Sequence, residues 1–163
     1  RILNADATTV SVGHYEGGVY NNYWVLIFSY PENSHTEDYR QEVLNLVNAQ
    51  RAKYGLTALE MGDDALTAAA QTRAEEISVV NSHVRPDGSK CFTVLKDYGV
   101  TDTPTGENAA WGSVSPEEVV NAWMNSEGHR ANILNPEARK MSVGYYYNSN
   151  STWGHQWIQI FTK

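Results

Sequence analysis

Hydrophobic positions recur at helical spacing in several stretches of the chain. The spacing from Tyr39 to Val47 predicts a helix from about residue 36 to Tyr54, closed by Gly55. The second predicted helix runs from Asp63 to about Val80, and its buried stripe comprises Leu66, Ala69, Ala70, Ala74 and Ile77. Shorter helices are predicted from Cys91 to Tyr98 and after Ser115, where Ser115 is an N-cap and Pro116 the first helical residue. In the second helix, Arg73, Glu75 and Glu76 are expected on the solvated face.

Alternation of apolar and polar residues predicts strands at both ends of the chain. Residues 140–147 and 154–162 form one predicted hairpin, and the stretches Thr8 to Tyr15 and Tyr23 to Tyr30 form another. An isolated two-stranded hairpin is marginal in water. The apolar run around Trp24 therefore predicts that residues 1–30 dock on an edge of the chain's own sheet or on another chain.

Polar residues that can carry chemistry occur in three separate stretches. His83 precedes a turn in Ser82-His83-Val84-Arg85-Pro86-Asp87-Gly88, and Glu107 stands among small residues in Gly106-Glu107-Asn108-Ala109-Ala110. His129 lies in the stretch from Asn121 to Asn135, where Gly128 is expected to end a helix. Two imidazoles and a carboxylate would suit zinc or another divalent metal ion with open coordination positions.

In this order, the three stretches resemble the CAP superfamily (cysteine-rich secretory proteins, antigen 5 and pathogenesis-related proteins), in its bacterial secreted SCP form. The resemblance covers about residues 36–163. It implies an α+β fold, a three-layer α-β-α sandwich around a central antiparallel sheet, to which this chain adds an N-terminal β-hairpin.

The resemblance also implies one central cleft lined by two histidines and two acidic residues. The resemblance assigns three residues to the cleft and to metal binding: His83, Glu107 and His129. Glu107 would either bind the metal ion itself or hold one of the histidine ligands in place. Many relatives have a fourth, acidic residue where this chain has Ser126, followed by Glu127. Glu127 and His129 are two residues apart and would leave a continuous helix on different faces, so both would point inward only if the chain broke at Gly128. Asn108 and Asn132 are expected to bind backbone groups.

The first 30 residues repeat part of the C-terminus. Ile2-Leu3-Asn4 and Ser11-Val12-Gly13 recur 131 positions later as Ile133-Leu134-Asn135 and Ser142-Val143-Gly144. Trp24 and Phe28 recur 133 positions later as Trp157 and Phe161. We therefore interpret residues 1–30 as a hairpin like the tail of a preceding CAP repeat, residues 31–35 as a linker and residues 36–163 as the CAP domain. The start at Arg1 rather than methionine fits a piece of a longer protein.

Composition limits the partners of the chain. A formal net charge of −7 argues against nucleic acid, which needs clustered basic residues, and no apolar run approaches the length of a membrane span. The single cysteine, Cys91, is expected to be a buried, unreactive thiol. The resemblance implies secretion and a ligand that is a small molecule, a lipid or a peptide.

Three functions are compatible with these observations. The favoured hypothesis is a ligand-binding module whose cleft holds a divalent metal ion. The alternatives are a metal-dependent hydrolase acting on peptides, with Glu107 as general base, and a structural or adhesion unit of a tandem array.

Overall fold

The computed structural model of the chain describes residues 9–29 and 36–163, and it divides into two compact units, Arg1–Ser34 and His35–Lys163. The first unit contains an antiparallel hairpin of β1 (Thr9–Glu16) and β2 (Asn22–Ser29). The N-terminal strands are therefore confirmed within one residue at each end. The predicted linker, 31–35, lies outside the described residues, together with Thr8 and Tyr30.

Residues 36–163 of the second unit form five α-helices and a four-stranded sheet. The helices are α1 (Thr36–Lys53), α2 (Asp64–Ile77), α3 (Val94–Asp97), α4 (Pro116–Asn125) and α5 (Glu127–Ile133), and a short 3₁₀ turn, Cys91–Thr93, precedes α3. The strands are β3 (Glu60–Met61), β4 (Pro104–Trp111), β5 (Lys140–Asn148) and β6 (Gly154–Thr162).

Capping residues set the starts of two helices as the sequence predicts. The Asp63 side chain accepts a hydrogen bond from the Leu66 amide at the start of α2. The Ser115 side chain accepts one from the Glu118 amide, with Pro116 as the first residue of α4. These side chains satisfy amide groups that have no partner within the helix.

The sheet has the strand order β3-β5-β6-β4. β5 and β4 both pair antiparallel with β6, and only the two-residue β3 runs parallel to its neighbour, β5. Since β6 lies between two strands, its side chains are buried on both faces, including Trp157, Ile158, Ile160 and Phe161.

Helices cover both faces of this sheet. On one face, residues of α1 and α4 form a core with Trp157 and Phe161. On the other, α2 and α3 pack against Ile158 and Ile160, and Gly144 allows the α2 backbone to approach, because a Cβ there would lie 2.0 Å from the Ala70 carbonyl oxygen. The predicted three-layer α-β-α fold with an additional N-terminal hairpin is confirmed.

The break between α4 and α5 corrects the sequence interpretation. The chain turns at Ser126, whose extended backbone (φ −99°, ψ 126°) ends one helix and starts the next. Gly128 is helical and lies in the first turn of α5. Arg130 stabilises the turn by donating from Nη1 to the Met124 carbonyl at 2.8 Å, at the C-terminal end of α4.

Candidate functional site

The middle of β4 brings Glu107 to a position where three other side chains reach it. Glu107 follows Gly106, where a Cβ would lie 2.6 Å from Asn132 Oδ1, so the glycine permits the close approach of α5. The Asn132 amide donates to the Glu107 carbonyl (3.2 Å) and to Asn108 Oδ1 (2.9 Å). Asn108 in turn donates to the His129 carbonyl at 3.1 Å. The expectation that both asparagines bind backbone groups is confirmed, and these bonds fix α5 against β4.

Glu107 contacts His83 directly. His83 lies in the loop after α2, and its Nδ1 is 2.8 Å from Glu107 Oε1. The Glu107 side chain is 2% exposed, whereas that of His83 is 54% exposed. Because a carboxylate accepts hydrogen bonds, Nδ1 is the donor, and Nε2 of a neutral His83 ring is left with a free lone pair.

The other partner of Glu107 is Arg73 on α2, which the sequence analysis placed on the solvated face. Its side chain is 0% exposed, and it donates from Nε to Glu107 Oε2 (3.0 Å) and from Nη2 to Oε1 (3.3 Å). Nη1 also contacts Glu76 at 2.5 Å. The expected solvation of Arg73 is therefore wrong. Its position offered a clue, since it lies three residues after Ala70 and four before Ile77, in the buried stripe.

Glu76 extends this network to the surface, and its expected place on the solvated face is also wrong. Its side chain is mostly buried and accepts hydrogen bonds from Arg85, which also pairs with Asp97 at 2.7 Å. Charges therefore alternate in sign from His83 through Glu107, Arg73, Glu76 and Arg85 to Asp97. Alternation lets each buried charge face an opposite one, which offsets its desolvation.

The network shifts the pKa of the groups in the site. Burial acts to raise the pKa of Glu107, but hydrogen bonds from His83 and Arg73 outweigh it and hold the pKa below its ordinary value. The hydrogen bond to Glu107 raises the pKa of His83. Burial raises the pKa of the half-buried Cys91 thiol to about 11, with a further contribution from the Glu107 charge. Cys91 is thus a thiol at neutral pH, as expected, although it is less buried than predicted.

His129, the second histidine that the sequence analysis predicts for the cleft, lies on α5. Burial lowers its pKa, and the charge of His83 lowers it further. The two imidazoles therefore differ, since His83 is held as a better base and His129 as a weaker one.

Ser126 and Glu127 lie just before His129. Ser126 is half-buried and forms the junction between α4 and α5. Glu127 is exposed in the first turn of α5, and two residues of one helix separate side chains by about 200°. The break at Gly128 that would have turned both Glu127 and His129 inward is absent from α5.

The geometry limits how a metal ion would be held. Within residues 9–29 and 36–163, no group of three His, Cys, Asp or Glu side chains is arranged as a metal site. Both oxygens of Glu107 are already engaged by Arg73 and His83. The carboxylate of Glu107 instead orients His83 from behind, an arrangement that carboxylates commonly make with metal-binding histidines.

Comparison with known proteins agrees with this architecture. Residues 44–161 match the profile of the Cysteine-rich secretory protein family, CAP. The chain is 42% identical over 122 residues to the uncharacterized protein YkwD of Bacillus subtilis, covering 74% of this chain and 47% of YkwD. It is 33% identical over 115 residues to the uncharacterized membrane protein YlbC of the same organism, covering 68% of this chain and 33% of YlbC. The chain thus spans about half or less of these relatives. In the part of this chain that the structure describes, no helix is long and apolar enough to cross a membrane.

Solved structures share the fold. An extracellular protein containing an SCP domain from Bacillus anthracis superposes with a TM-score of 0.70 at 24% identity, covering 86% of this chain and 47% of that one. An outer surface protein from Borrelia burgdorferi gives a TM-score of 0.70 at 23% identity, covering 82% of this chain and 97% of that one. The chain therefore belongs to the cysteine-rich secretory protein (CAP) family, as a bacterial SCP-type domain.

Proposed function

We propose that this CAP domain is a ligand-binding module whose cleft holds a divalent transition-metal ion, such as zinc, between His83 and His129. The observation that carries the proposal is the hydrogen bond from His83 Nδ1 to the buried Glu107. This hydrogen bond fixes the orientation and the tautomer of the His83 ring, so that the free Nε2 lone pair points away from the carboxylate. It also raises the basicity of His83 as a metal ligand.

Two protein ligands leave several positions of the ion open. A bound ion would supply an attachment point for donor atoms of a ligand, for example a carboxylate of a peptide or small molecule, or the headgroup of a lipid. Glu107 supports this site without binding the ion, because Arg73 and His83 engage its oxygens.

A binding module fits the site better than the metal-dependent hydrolase. A general base needs a free oxygen near the attacking water and a pKa near the operating pH. Glu107 is paired with Arg73, and its pKa is lowered. We therefore assign Glu107 to positioning His83 rather than to proton transfer.

We place this function outside the cytoplasmic membrane. Support comes from two structural neighbours, one described as an extracellular protein and the other as an outer surface protein. The cellular location is tested by fractionating the source cells and probing each fraction with an antibody against the domain. Protein confined to the cytosolic fraction would contradict it.

Titration with metal ions tests the site. Chelator-treated protein is titrated with Zn²⁺ by calorimetry and with Co²⁺ by visible absorption, which reports imidazole coordination. His83→Ala and His129→Ala should each abolish saturable binding. Glu107→Gln should weaken it about 10- to 100-fold, the usual effect of losing a carboxylate behind a metal-binding histidine.

His14→Ala, which removes an exposed histidine of the hairpin, is the matched control and should bind as the wild type does. Circular dichroism of each variant separates lost binding from lost folding. Binding that survives loss of either cleft histidine would refute the proposal. The hydrolase alternative would instead be supported by peptide cleavage that requires both zinc and His129.

A further inference from the structure

Large apolar side chains lie exposed on both faces of the β1–β2 hairpin. Trp24 is 66% exposed on one face, and Val25 and Ile27 are 56% and 60% exposed on the other. Exposed apolar surface of this kind marks interaction sites, and a lone hairpin is marginal in water. The hairpin therefore has two faces that need cover.

The strand pairing of β1–β2 is the same as that of β5–β6. Moving β1 by 131 positions and β2 by 133 positions converts each of its eight cross-strand pairs into a pair of β5–β6. Aromatic ring pairs occupy the same place in both hairpins: His14 and Trp24 are stacked with centroids 4.2 Å apart, and Tyr145 and Trp157 are tilted with centroids 4.5 Å apart. The repeat seen in the sequence thus extends to the pairing register, which fixes the residues that share each face.

A glycine stands at the same position of both hairpins. Gly144 in β5 has no room for a side chain because the Ala70 carbonyl of α2 would lie 2.0 Å from its Cβ. Gly13 holds the equivalent place in β1, yet within 4 Å a Cβ there would meet only Val25 Cβ, at 3.9 Å. Nothing within the hairpin requires this glycine, whereas a helix packed on that face would.

We propose that the β1–β2 hairpin is the closing hairpin of a second CAP fold, and that it docks into a CAP-type body lacking its own last two strands. Such a body would place helices equivalent to α1 and α4 on the Trp24 face. A helix equivalent to α2 would cover the face of Gly13, Val25 and Ile27, and a strand equivalent to β4 would pair with β2. This arrangement covers both apolar faces and the free edge of β2 at once.

Position 26 of the hairpin indicates that the body on which it docks differs in sequence from residues 36–132 of this chain. In β6, Gln159 Oε1 accepts a hydrogen bond from the Asn108 amide of β4 at 3.0 Å, in a buried position. Leu26 stands in the equivalent place of β2 and cannot accept one. Docking of the hairpin on a second copy's β4 would leave that buried amide with one partner fewer, which is costly. The favoured body therefore carries an apolar residue where this chain has Asn108.

A fused chain tests the proposal with known sequence. Residues 36–132 are joined directly to Ile2, followed by the rest of the chain to Lys163, so that the hairpin can complete the added body. Leu26→Gln is included to match Asn108. Residue-resolved amide exchange should show the β1 and β2 amides of this fusion exchanging about 100-fold more slowly than those of the unfused chain with the same substitution.

Gly13→Val supplies the discriminating variant. It should abolish the protection in the fused chain, where a helix packs on Gly13, and leave exchange in the unfused chain unchanged. Three results would overturn the proposal: no added protection in the fused Leu26→Gln chain, protection that tolerates Gly13→Val, or strong protection in the unfused chain. In the last case, a monomer by ultracentrifugation would mean docking on the chain's own domain, and a dimer would mean docking on a second copy.

Discussion

The buried Arg73–Glu107 pair offers a sharp test of the architecture of the site. Arg73→Met keeps a long side chain on α2 but removes the charge that faces Glu107, together with donors to Glu76 and the Ser82 carbonyl. Glu107, 2% exposed, would keep His83 and the neutral Cys91 thiol as side-chain partners, but would lose the cation that pairs with it. Removing one member of a buried ion pair costs about 3–5 kcal/mol, because the remaining charge stays desolvated.

Urea unfolding followed by circular dichroism measures this loss, which corresponds to a fall in Tm of roughly 10–20 °C for a domain of this size. Arg139→Met is the matched control, since Arg139 is exposed and donates to the Pro136 and Ala138 carbonyls at the surface, and it should change stability by less than about 0.5 kcal/mol. The double variant Arg73→Met/Glu107→Gln no longer has the buried negative charge. Its loss of stability should therefore be about 2 kcal/mol smaller than the sum of the losses of the two single variants.

At acidic pH, the difference in free energy of unfolding between the wild type and Arg73→Met should become smaller. The pKa of Glu107 is lowered in the folded protein, so its ionised pairing stabilises the fold above the unfolded pKa and is lost as pH falls through the folded value. A loss below about 1 kcal/mol at pH 7, or strict additivity with Glu107→Gln, would refute a coupled buried pair.

The remaining predictions concern two glycines and His83. Gly144→Ala should destabilise the domain by about 3 kcal/mol or more in urea unfolding, because its Cβ would overlap the Ala70 carbonyl; a loss below about 1 kcal/mol would contradict the packing of α2 on β5. Gly128→Ala should be neutral or stabilising by about 0.5 kcal/mol, since Gly128 is helical with open space around it; clear destabilisation would favour a break there. In metal-free protein, His83→Gln should cost more stability at pH 6 than at pH 8. The raised pKa means that the contact of protonated His83 with Glu107 stabilises fully below about 6.5 and fades as pH rises through the folded value, so equal losses at both pH values would contradict it.

Local sequence signals were sufficient where a single segment contains the whole cause. The cap at Ser115 and the proline after it start α4 because the groups that they satisfy lie within the next turn. The same reasoning failed at Gly128. Glycine permits a helix break without requiring one, and the break occurs at Ser126, where the Arg130 side chain returns to the Met124 carbonyl.

The sequence by itself determined the family, the helices α1, α2 and α4 and the two hairpins, because motifs and periodicity are written in neighbouring positions. It did not predict β3 or β4, the strand that carries Glu107. Only the tertiary structure decided what Glu107 does. Its partner Arg73 lies 34 residues away on another element, and the choice between a metal ligand and a buried ion pair depends on which groups share its burial. Spacing along the chain carries no information about that, since the electrostatic environment of a carboxylate is set by neighbours in space.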